Sequence, residues 1–97
     1  MRESQIEKYL KKEVDKLGFL IRKAQWLGVN GCPDRLIMSP KLTIWVELKA
    51  PDKKPRPRQE REHADMRKNG QLIEVIDSLQ KVDSLVNQIK EANGNGA

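Results

Sequence analysis

Apolar residues recur at Ile6, Leu10, Val14 and Leu17 through an otherwise charged stretch, the spacing of a helix with one buried stripe, and Gly18 stands where a helix ends. The pattern predicts a first helix over 3–17. GFLIRKA (18–24) shifts to strand-forming residues, and the glycines and proline of QWLGVNGCP (25–33) mark a loop. Two further apolar runs, DRLIMS (34–39) and LTIWVELK (42–49), flank Pro40-Lys41, and so short a connection predicts an antiparallel hairpin. PDKKPRPR (51–58) alternates prolines with Lys53, Lys54, Arg56 and Arg58 and reads as an exposed loop. A short helix over 59–68 ends at Asn69-Gly70, and QLIEVID (71–77) reads as a last strand. Asp77 and Gln80 have capping-box form ahead of a final helix with Leu79, Val82, Val86 and Ile89 on one face.

The predicted order is α-β-β-β-α-β-α. Three strands form a meander and the fourth is reached through a helical crossover, so the fold class is α/β, a mixed β-sheet flanked by helices. With 97 residues, 37% of them hydrophobic, the chain suits one small domain over 1–91, and ANGNGA (92–97) is expected to be a disordered tail.

Charge narrows the partners. Nineteen Lys and Arg against fourteen Asp and Glu give +5 and favour a polyanion such as nucleic acid. The single Cys32 excludes an intrachain disulfide and a cysteine metal cluster, which makes a reducing, cytoplasmic setting the expectation. No apolar stretch approaches the ~18 residues that span a bilayer, so no membrane partner is expected.

The candidate chemistry lies at the strand ends. Side chains alternate along a strand, so Glu47 and Lys49 point the same way as Trp45, while Leu48 points opposite. Asp34 opens the other hairpin strand and is brought beside Glu47. Converging carboxylates repel unless a cation sits between them, and hard oxygen ligands suit Mg²⁺ or Mn²⁺. Such an ion can activate water against a phosphodiester, with Lys49 orienting that water or offsetting negative charge. The competing interpretation is a structural ion pair within a non-catalytic, basic DNA-binding module; an exposed pair of this kind is worth ~0–1 kcal/mol. Arg35, Lys41, Lys53, Lys54, Arg56 and Arg58 are candidates for phosphate contacts, and Trp26 for stacking on an unpaired base, although Trp26 and Trp45 equally suit the core or an interface. Gln59, His63 and Met66 share one helical face; His63 reads as an ordinary histidine outside the site.

Pro33-Asp34 followed by Glu47-Leu48-Lys49 resembles the PD-(D/E)xK nuclease signature. With Gly28 and Gly31 before it, an apolar strand into Glu47, a Pro- and basic-rich loop and then Gln59, the chain is similar to the VRR-NUC group, the virus-type replication-repair nucleases, in their stand-alone phage form. The similarity runs from about Glu3 to about Val86. It implies a restriction-endonuclease-like core and a metal-dependent DNA endonuclease acting on branched, flapped or Holliday-junction DNA in phage replication and repair, within the host bacterium. It further implies that Asp34 and Glu47 bind the metal, that Lys49 and Gln59 join the catalytic set, and that a first-helix glutamate adds a ligand. Glu3 and Glu7 are the candidates; at 100° per residue Glu3 lies roughly 25° from the middle of the apolar stripe and Glu7 roughly 65°, which favours Glu3. The carbonyl of Leu48 is expected to complete the coordination sphere. A core this small leaves little surface for recognising a junction, which favours a homodimer.

Overall fold

The computed structural model describes residues 1–94. Its elements run α1 (Glu3–Lys16), β1 (Leu20–Lys23), β2 (Arg35–Met38), β3 (Thr43–Leu48), α2 (Pro57–Lys68), β4 (Ile73–Ile76) and α3 (Leu79–Ala92). This is the order, and the α/β class, that the apolar pattern predicts.

The four strands form one sheet in the order β1-β2-β3-β4. β1, β2 and β3 are antiparallel neighbours, while β4 returns parallel to β3 after the α2 crossover. Alternation along β3 sorts its residues onto two faces. Ile44, Val46 and Leu48 enter the main core with Ile21, Ile37 and Ile76, beneath Ile6, Leu10 and Val14 of α1 and Val82, Leu85, Val86 and Ile89 of α3. The Tyr9 hydroxyl donates to Asp83 Oδ1 at 2.5 Å and ties α1 to α3. The opposite face, which carries Trp45 and Glu47, is covered by α2 through His63 and Met66.

Several local details depart from the sequence reading. α2 starts at Pro57 with Arg56 as its N-cap, inside the stretch expected to be loop. Proline suits a first helical turn, because the N–H it lacks would have no partner there. The cap of α3 is Ser78, whose Oγ accepts from Lys81 N at 3.1 Å; Asp77 instead pairs with Lys81 Nζ at 3.0 Å. Where a disordered tail was expected from residue 92, Ala92 closes α3 and Asn93 is bound to the β2–β3 hairpin: its Oδ1 accepts from Lys41 N and its Nδ2 donates to Ser39 Oγ. Residues 95–97 of that expected tail lie outside the described residues. No described helix is long and apolar enough to cross a membrane.

Gly31 seats the β1–β2 loop on α2. Its φ is +97°, and a Cβ there would come within 2.7 Å of the Arg58 carbonyl and 2.9 Å of Glu62 Cβ. Gly31→Ala should therefore cost about 2–4 kcal/mol, from backbone strain plus a clash that neither partner can easily relieve. Gly70→Ala, with φ of +82° but nothing within 4 Å, should cost about 1–2 kcal/mol. Thermal unfolding of the two variants measures the difference, and equal losses would contradict the seating.

Candidate active site

The hairpin register builds the site. Arg35 pairs with Val46, so the next positions outward, Asp34 and Glu47, lie side by side on the α2 face. Asp34 Oδ2 accepts from Leu48 N at 2.8 Å, which fixes one carboxylate at the strand end. Glu47 is 1% exposed, a rare state for a glutamate. Its Oε2 accepts from Gln59 Nε2 at 2.9 Å and lies 3.7 Å from Lys49 Nζ. Gln59 Oε1 accepts from Arg56 N at 2.9 Å, so this one amide joins the start of α2 to the buried acid.

The other oxygen, Glu47 Oε1, has no hydrogen-bond partner. It faces His63 Nε2 at 3.4 Å, and that nitrogen too is buried without a partner. This approach is no ion pair, because burial, and next the Arg67 charge, hold His63 below its ordinary pKa and keep it neutral. Burial, followed by the neighbouring Asp34 carboxylate, pushes Glu47 up to about 8, with Lys49 and Gln59 acting in the opposite direction. A buried, unpartnered carboxylate oxygen with a second carboxylate close by is a place that a divalent cation fits.

The structure gathers Asp34, Glu47, Lys49 and Gln59, and adds His63, which the sequence reading left out. The signal was present in the four-residue spacing from Gln59 to His63, which puts both on one face of α2. Other candidates stand apart from this group. Glu3, expected to face inward, is exposed in the first turn of α1, about one turn before the buried Ile6. Glu7 pairs with Arg35 Nη2 at 2.6 Å, and Arg35, next to Asp34 in an alternating strand, leaves the sheet on the α1 face, away from Glu47. Among the described residues no three His, Cys, Asp or Glu side chains gather into a metal cluster. Leu48 meets Asp34 through its amide. Trp26, half-buried, packs on Trp45 with ring centroids 5.3 Å apart and a tilt of 59°.

Outside the acids lies an open groove of about 370 Å³ lined by Asn30, Gly31, Lys49, Arg56, Arg58 and Gln59. Lys53 and Lys54 are exposed on the loop that leads into it.

No family model matches the chain. It is 46% identical over 79 residues to p44 of Acyrthosiphon pisum secondary endosymbiont phage 1, a protein provisionally named a nuclease, covering 80% of this chain and 85% of that one. A solved structure described as a VRR-NUC domain superposes with a TM-score of 0.80 at 38% identity, over 87% of this chain and 92% of that one.

Glu47 makes metal-free stability depend on pH. Its pKa is raised on folding from about 4.5 to about 8, so its contribution is complete below about pH 4.5 and is lost as pH rises towards 8. His63, held below 6.5, opposes folding only as pH falls below that value. In EDTA the melting temperature of the native chain should therefore fall between about pH 6.5 and about pH 8.5, whereas Glu47→Gln should stay nearly flat across that interval. Parallel profiles would contradict the assigned cause.

Proposed function

From its membership of the VRR-NUC family, in the stand-alone phage form, we propose that the chain is a nuclease that hydrolyses DNA phosphodiester bonds with a divalent cation, Mg²⁺ or Mn²⁺, held by Asp34 and Glu47. The observation that carries the metal reading is the buried Glu47 Oε1, unpartnered beside a second carboxylate. A purely structural salt bridge has no use for that oxygen. Bound there, the cation supplies Lewis acidity towards a phosphate oxygen and towards the attacking water.

The chain's own residues do the rest. Gln59 holds Glu47 Oε2 in place and is itself held by Arg56 N. Lys49, at the mouth of the groove, orients the attacking water or offsets negative charge at the phosphate. Arg56 and Arg58 line the same groove, where they meet the DNA backbone, and Lys53 and Lys54 extend the positive surface. His63 packs against Glu47 from beneath and limits the positions open to its carboxylate. The preferred substrate in this reading is branched or flapped DNA, and two chains acting as a homodimer would present paired sites to paired strands.

Cleavage of a panel of branched, flapped and linear DNA, with each metal and with EDTA, tests this. Glu47→Ala and Lys49→Ala should each lower cutting by about 100-fold or more while leaving binding in EDTA within a few-fold. Retained cutting in either would remove that residue from the mechanism, and a native chain that shifts every DNA but cuts none would be a binding module.

Neutralising Lys53, Lys54, Arg56 and Arg58 together should weaken binding and reduce the salt slope by up to about 3–4, at roughly 0.9 per lost phosphate contact. An unchanged slope would place the DNA elsewhere on the surface.

A further inference from the structure

Leu27 is 91% exposed and Val29 is 58% exposed, while most aliphatic residues of the chain are packed into its interior. Single exposed aliphatics are ordinary, but these two share one loop that is fixed on both sides. On one side Trp26 packs against Trp45, and on the other Gly31 lies so close to the Arg58 carbonyl that no Cβ fits. The loop is thus a braced projection. It carries no charged residue from 25 to 33, although it borders the most cationic groove of the site.

Asn30 and Gly31 of this loop line that groove together with Lys49, Arg56 and Arg58. Three residues of chain reach at most about 11 Å, so Leu27 lies no farther than that from Asn30 at the groove edge, a span comparable to that from a DNA backbone to its bases. Cationic side chains suit the phosphates, and an uncharged apolar tip suits the faces of bases. Building on the nuclease reading, we infer that Leu27 and Val29 form an apolar wedge that enters the base stack next to the cleaved strand. The gain from burying two aliphatic side chains is of the same order as the cost of unstacking one base step. On intact duplex the two nearly cancel. At a branch, flap or nick the stack is already interrupted, and the gain is retained. The wedge therefore selects DNA with a broken stack.

The test uses the full chain in EDTA with 2-aminopurine placed at the branch point of a flap or junction, beside a matched linear duplex. The native chain should raise the fluorescence at the branch and bind that DNA about tenfold more tightly than the duplex. Leu27→Ser with Val29→Ser should abolish both effects, leaving duplex affinity and salt slope unchanged. A double variant that keeps the fluorescence rise and the preference overturns the proposal. So does one that sediments as a smaller species than the native chain, since the loop would then be a contact between copies. A native chain that binds DNA in EDTA and cuts it once metal is added, without a fluorescence change, overturns the wedge alone, whereas one that neither binds DNA nor cuts it with metal added overturns the nuclease reading with it.

Discussion

The structure is organised around one costly placement, a glutamate carboxylate buried on the inner face of a sheet. Strand alternation forces it: Ile44, Val46 and Leu48 fill the core under α1 and α3, so Glu47 must face α2. Shifting β3 by one residue would spare Glu47 and expose three core side chains, which is the larger loss. The register is therefore held by the hydrophobic face, and the acid is carried along by it. As an anion it is only half satisfied, with Gln59 on one oxygen and no partner on the other, which favours its protonated form. A buried acceptor left in that state opposes folding by roughly 1–3 kcal/mol, and more when charged. The rest of the domain tolerates this penalty, as expected of a site shaped for a ligand.

The same placement links core and surface. The strand that buries Glu47 continues one step beyond its partner into Lys49, which reaches the groove, and the helix that covers Glu47 begins with Arg56, Arg58 and Gln59 along the same groove. Acid, amine, amide and basic side chains are brought together by three backbone features: the β2–β3 hairpin, the end of β3 and the first turn of α2. Gly31 adds the β1–β2 loop by letting its backbone lie directly on α2. In the proposed reading, cation, phosphate and base contacts follow one line from interior to surface.

Much of this was legible in the sequence where it depended on local period. Alternation along 42–49 separated Glu47 from Leu48, the two-residue Pro40-Lys41 connection set Asp34 beside Glu47, and the spacing of Gln59, His63 and Met66 marked the inner face of α2. What was missed depended on how elements dock. An angle on a helical wheel says which way Glu3 points, but not whether another element covers the first turn of α1. The pairing of Glu7 with Arg35 and of Trp26 with Trp45 joins distant segments and leaves no trace in local pattern. His63 looked ordinary because its neighbour across the layer, Glu47, lies on another element. The prolines of 51–58 read as loop, yet a first helical turn accepts Pro57 readily.

The central claim is that Glu47 holds a proton in the metal-free chain and gives it up to a divalent cation. Calorimetric titration of Mn²⁺ at about pH 7, repeated in buffers of different ionisation enthalpy, measures this directly. With Glu47 pushed up to about 8, binding should occur at one site per chain and release most of one proton, and the release should vanish at about pH 9.5 and in Glu47→Gln. Absence of binding, or binding with no proton released at about pH 7, would contradict the account.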